Sequence, residues 1–160
     1  MPFDVLAWID STNRIHRPLR RSCLELTNHL GGFFDSAELS TTGFVITEYL
    51  PQPPREVVQQ LGLAELTGPG VQGLTLDDTY YLKPQAAGRL SLHFHELVHV
   101  LQWQQLGTAG FVARYLAEIA KHGYRQAPLE QMAYGLEQRY RDKPLRPFKV
   151  MEEVKKHLKK

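Results

Sequence analysis

The chain has 160 residues, 42% of them hydrophobic and 22% charged, enough for one hydrophobic core and too few for two ordinary domains, so residues 1–160 are expected to form a single unit. Lys and Arg number 19 against 17 Asp and Glu, a formal charge of +2 that is too close to neutral to argue for a nucleic-acid protein. No apolar run approaches the ~20 residues that cross a bilayer, and one cysteine, Cys23, excludes an internal disulfide and a cysteine-built metal site.

The opening stretch, MPFDVLAWIDSTNR, carries Asp4 and Asp10 and lacks a basic region followed by a long apolar one. It does not read as a secretory signal, and a cytoplasmic location is expected. Basic residues gather at Arg14, Arg17, Arg20 and Arg21 and again at Lys155, Lys156, Lys159 and Lys160; both groups read as solvated surface, the second as a basic tail over about 146–160.

Leu19, Cys23, Leu26 and Leu30 recur at steps of four, three and four after Pro18 and stop at Gly31-Gly32, which predicts a helix. GFVITEYL, residues 43–50, is β-branched and aromatic and ends at a PQPP break, so a strand is expected there, with a short helix at 54–61. Residues 73–82 alternate Leu74, Leu76, Tyr80 and Leu82 and read as one strand or a hairpin ending at Pro84. Beyond Pro84 the period becomes helical: 87–106 with Gly107 as cap, a second helix around Phe111 to Ile119 closed by Gly123, and a third from Pro128 to the Lys143-Pro144 stop. A last short helix over 151–160 is the other reading of this end, with only a thin apolar stripe of Val154 and Leu158. The expected architecture is α+β, a small sheet packed against a mainly helical second half, with its core in about 43–143.

His95-Glu96-Leu97-Val98-His99 forms an HExxH motif inside the best-defined helix. Four residues advance a helix by about 400°, so His95 and His99 stack on one face where both imidazoles can reach one ion. Catalytic Zn²⁺ takes three protein ligands and keeps a position for water, and Glu96 lies beside that water as a carboxylate able to take its proton. Zn²⁺ is therefore the expected cofactor, with Glu96 as general base.

A third ligand must come from farther away, because VLQWQQLGTAG after His99 contains no histidine. Glu118, His122, Glu130 and Glu137 are the candidates. Glu130 is favoured because Ala133, one turn on, lets its helix approach the HExxH helix closely; Glu137 lies two turns along the same face, near a ligand histidine or the site's edge. Tyr134, Tyr140, His93 and His122 are candidate donors to a developing oxyanion, although His93 points away from the metal face. Gln102 extends the His95 and His99 face, Trp103 reads as core or rim, and Cys23 as a buried small side chain.

HELVHVLQ, an intervening helix and a Glu-x-x-Ala segment resemble the gluzincin class of zinc metallopeptidases. GLTLDDTYYLKP, HELVHVLQWQQLG and APLEQMAYGLE are similar to small bacterial zincin-like domains of minimal gluzincin type, over about half the chain, residues 71–140. The resemblance implies a zincin-like fold with a strand beside the active-site helix, zinc at His95, His99 and Glu130, and Glu96 as the base of peptide-bond hydrolysis. The chain departs from the Glu-x-x-Ala-Asp form at Tyr134. Partners implied are a peptide or protein substrate, which could add to the edge of the strand. The alternative is a non-catalytic zincin-like module that binds a protein partner.

Overall fold

The computed structural model describes residues 3–159. Helix α1 (Val5–His16) leads to a two-residue strand β1 (Arg21–Ser22), a single-turn α2 (Thr27–Leu30), α3 (Ser36–Thr41), β2 (Gly43–Ile46) and α4 (Arg55–Leu61). The hairpin β3 (Gly73–Leu76) and β4 (Thr79–Leu82) precedes four helices, α5 (Leu90–Leu106), α6 (Thr108–His122), α7 (Pro128–Asp142) and α8 (Val150–Leu158). The class is α+β. No helix among the described residues is long and apolar enough to cross a membrane.

The four strands form one mixed sheet in the order β1-β2-β4-β3, with β2 and β4 parallel and both other pairs antiparallel. A two-residue turn joins β3 to β4, with Asp77 in the left-handed region at φ 62°. Strand periodicity divides the core. Phe44, Tyr80 and Leu82 face one side with Phe94, Leu97 and Leu101, while Val45, Tyr81 and Leu76 face the other with Ile9, Trp103 and Phe111.

Residues 93–103 of α5 are all buried, so this helix lies inside the protein rather than on it. Phe94 is completely enclosed, stacked on Tyr140 with ring centroids 4.7 Å apart and met edge-on by Phe33 and Phe34. Gly107 and Gly123, at φ 76° and 80°, end α5 and α6 in conformations that only glycine adopts without strain.

Three expectations are corrected. The helix expected over 18–30 is broken into 3-10 turns at Arg17–Leu19 and Cys23–Leu26, strand β1 and the short α2. Pairing of Arg21 and Ser22 with Phe44 and Gly43 overrides the helical spacing, and the Ser22 hydroxyl accepts from Leu24 N to start the next turn. The core is not confined to 43–143, because Leu30, Phe34 and Leu39 are fully buried. Nor are residues 146–159 a solvated tail: the short helix offered for this end forms as α8, Val150 and Val154 are fully buried, and Val150 N donates to Phe33 O, while residue 160 lies outside the described residues. Helices α1 and α3 lie outside the sequence reading altogether.

Phe94→Ala is expected to cost about 3–5 kcal/mol, measured by urea unfolding, because it removes a fully enclosed ring and its contacts with Phe33, Phe34 and Tyr140. Burial pushes the Cys23 thiol up to about 11, so the folded chain holds that proton above pH 9.0, where the unfolded chain releases it. Unfolding free energy should fall as pH rises from about 9 to 11, and the fall should be shallower in Cys23→Ala.

Candidate metal centre

His95 and His99 lie one turn apart on α5, and α7 packs along them with the buried Ala133 at the crossing. That approach brings Glu130 between the two imidazoles. Its Oε1 is 3.2 Å from His95 Nε2, its Oε2 is 3.1 Å from His99 Nε2, and the two Nε2 atoms are 3.2 Å apart. Two ring nitrogens and the two oxygens of one carboxylate thus face one small region. The edges match the ~3.3–3.4 Å separation of ligands around a tetrahedral zinc with bonds of about 2.0–2.1 Å.

The far side of each ring fixes what faces that point. His95 Nδ1 lies 3.0 Å from Glu137 Oε1, a carboxylate that can only accept. His99 Nδ1 lies 2.8 Å from Gln102 Oε1, and the Gln102 amide nitrogen donates to Leu129 O at 2.9 Å, which orients its oxygen toward the histidine. Both rings therefore carry their proton on Nδ1 and present Nε2 lone pairs to each other and to Glu130. Facing lone pairs and a buried carboxylate demand a cation at their centre, either protons on the imidazoles or a metal ion.

With protein groups alone, the electrostatics show the same demand. Burial works to lower the His95 pKa, but hydrogen bonds to Glu130 and Glu137 prevail and push it up to about 10. His99 moves upward as well, against its burial, through Glu130. Burial opposes ionisation of Glu130, yet the two imidazoles hold it well below the usual carboxylate range. The Tyr115 hydroxyl also donates to Glu130 Oε2 at 2.7 Å.

Glu96 is buried beside the cluster but outside it. Burial raises its pKa, and the Thr75 hydroxyl on β3 donates to its Oε1 at 2.8 Å. Gly73, two residues earlier in that strand, leaves room for the other oxygen: a Cβ there would lie 3.1 Å from Glu96 Oε2.

The other sequence candidates have different places. Glu118 accepts from Leu129 N at 2.8 Å and pairs with Arg114, so it caps the start of α7 and is not in the cluster. Glu137 touches the outer nitrogen of His95, with Arg141 3.7 Å away, and is not beside the Nε2 atoms. His122 is exposed at the end of α6. As oxyanion donors, three of the four are removed: His93 is bound on both nitrogens, by Tyr80 OH and Ala87 O at 2.7 Å each, Tyr140 lies in the aromatic core against Phe94, and His122 is remote from the cluster. Tyr134 remains, its ring tilted against His95 at 4.6 Å. Tyr115 on α6, Thr75 and Gly73 on β3, and Tyr124 between α6 and α7, where it lines the space beside Glu96, carried no sequence signal as site residues, since none lies on α5.

Two cavities open on the cluster. One, of about 450 Å³, is lined by Leu50, Leu63, Trp103 and Phe111 and reaches Glu96, His99 and Glu130. The other, of about 530 Å³, is lined by Arg89, Arg125, Arg141 and Tyr134 and reaches His95 and Glu96. Scanned against known protein families, curated proteins and solved structures, the chain matches none.

Gln102→Leu keeps the volume but strands the His99 Nδ1 proton and a bond to Leu129 O. A loss of about 1–3 kcal/mol in urea unfolding is expected. No loss would show that His99 is not held by this amide.

Proposed function

We propose that this chain is a zinc-dependent peptidase of gluzincin type. The observation that carries the reading is the outward anchoring of both Nδ1 protons, which leaves two Nε2 lone pairs and the Glu130 carboxylate converging at tetrahedral separations. Such a donor set of two imidazoles and one carboxylate, with room on the cavity side, suits a catalytic rather than a closed structural zinc. The zincin-like fold belongs to the same proposal and is supported by β3 lying alongside α5.

His95, His99 and Glu130 would hold the zinc, which when bound would supply an acidified water and polarise a carbonyl. The remaining steps fall to protein groups. Glu96, placed by Thr75 and given space by Gly73, takes the proton from the attacking water and passes it to the leaving amine. Its upward-shifted pKa suits that exchange, because a more basic carboxylate accepts a proton more readily. Tyr134 and Tyr124 line the space beside His95 and Glu96 and supply hydroxyl donors for charge developing on the carbonyl oxygen.

The substrate backbone is held by β3, an edge strand. Lys83 N donates to Gln72 O, so alternation makes Leu74–Tyr81 and Leu76–Thr79 the hydrogen-bonded pairs. The main-chain groups of Gly73 and Thr75 turn away from β4, beside Glu96, where an extended peptide can pair with them.

Purified protein should carry one equivalent of zinc by elemental analysis, lost in His99→Ala and Glu130→Ala and kept in Glu96→Gln. Glu96→Gln should reduce hydrolysis of a peptide library by about 10²–10⁴-fold. Glu137→Gln should weaken zinc about 10–100-fold through the orientation of His95. Zinc retained in Glu130→Ala removes that ligand, a wild type without zinc removes the enzyme reading, and zinc without hydrolysis leaves the non-catalytic module.

A further inference from the structure

The two cavities differ in chemistry and meet at the same residues. Both are lined by Val71, Gly73, Glu96 and Tyr124, so they form two arms of one cleft that joins at the proposed base. The arm toward the C-terminal end of β3 and α5, past Leu76 and Trp103, is walled by apolar side chains. The arm toward their N-terminal ends, past Gln72 and Arg89, is walled by Arg89, Arg125 and Arg141.

The second arm is lined by three arginines and three glutamates, but they are not matched in pairs. Of the acidic groups on it, Glu96 is held by Thr75, Glu137 is committed to His95 with Arg141 at 3.7 Å, and Glu65 is the third. Among the described residues, no ion pair engages Arg89 or Arg125. A second observation also points to a ligand that spans both arms. The described buried side-chain polar atoms that lack a hydrogen-bond partner are Gln72 Oε1 and Trp103 Nε1, one lining residue from each arm.

We infer that the cleft selects substrates carrying a bulky apolar side chain on one side of the reacting bond and a carboxylate on the other, the carboxylate bound by Arg89 and Arg125. This rests on the peptidase reading above. A peptide adding antiparallel to β3 would run from the Leu76 end toward Gly73, which carries its C-terminal part toward the arginines. The carboxylate therefore lies C-terminal to the apolar residue. An acidic side chain and a free C-terminus supply the same chemistry.

The test uses zinc-loaded Glu96→Gln protein and four peptides with a fluorescent N-terminal label, their binding read by anisotropy. They are Phe-Ala-Glu-amide, Phe-Ala-Gln-amide, Phe-Ala-Gln with a free carboxylate, and the reversed Glu-Ala-Phe-amide. At least one of the two forward carboxylate peptides should bind about tenfold more tightly than Phe-Ala-Gln-amide, and which one identifies the source of the charge. Arg89→Ala with Arg125→Ala should abolish that difference, and Lys155→Ala on α8 should retain it. Equal binding of all the peptides, a preference that survives the double arginine change, or an equal preference for the reversed peptide overturns the inference. Hydrolysis by the unaltered chain separates the two proposals. Cleavage of all four at equal rates overturns the selectivity and keeps the peptidase, whereas arginine-dependent binding without cleavage of any peptide keeps the anion site and removes the peptidase. Neither binding nor cleavage removes both.

Discussion

A helix buried on every side keeps polar side chains at low cost only where they meet partners, and α5 carries five ionisable or amide side chains in its buried run: His93, His95, Glu96, His99 and Gln102. Each unmatched buried group would cost about 1–3 kcal/mol, so together they would erase much of the stability of a domain this size. The surrounding elements are arranged to answer them. Helix α7 brings Glu130 and Glu137, β3 brings Thr75, and α6 brings Tyr115 against Glu130. One need stays unmet by these contacts, the positive charge between the two Nε2 atoms and the carboxylate. Apart from the Trp103 indole N–H, the cluster is what remains after the other polar side chains at the centre of α5 have been met inside the protein.

The spacing of His95 and His99 was legible because a helical repeat is a local property, expressed within five residues. Glu130 was legible less directly, through the small Ala133 that lets two helices close on each other. Glu118 shows where local reasoning stops. Its proximity in sequence made it a ligand candidate, whereas its position in space makes it the cap of α7. Thr75 and Gly73 are ordinary strand residues until the sheet is laid against α5. His93 was correctly set apart from the metal face, but its two hydrogen bonds, which also deny it a role as a donor, depend on Tyr80 and Ala87 from outside its helix.

The first third of the chain was the least readable part. In α1 the inward face runs Val5, Ile9, Thr12 and Asn13, so its apolar stripe gives way to polar residues halfway along. Asn13 is nonetheless tied inward, donating to Leu76 O and accepting from Tyr81 OH. Helix α3 did carry a readable signal, the Asp35 and Glu38 capping box. Residues 18–30 show the reverse error: a regular helical spacing yielded to two strand residues, because pairing with β2 completes the edge of the sheet. These departures lie outside the His95, His99 and Glu130 cluster itself, although Val5, Trp8 and Ile9 of α1 line the apolar cavity that reaches it.

The cap that Glu118 places on α7 ties the third proposed ligand to the completion of α6. His95 and His99 are brought one above the other by the helical repeat of α5 alone, whereas Glu130, and the Glu137 and Leu129 contacts that orient the two rings, come from α7, beyond α6 and the turn at Gly123. During synthesis the pair of imidazoles therefore exists before the carboxylate that completes it. Under the peptidase reading proposed above, a chain still emerging from the ribosome, with its own backbone extended and accessible, would lack the third ligand until α7 has folded against α5.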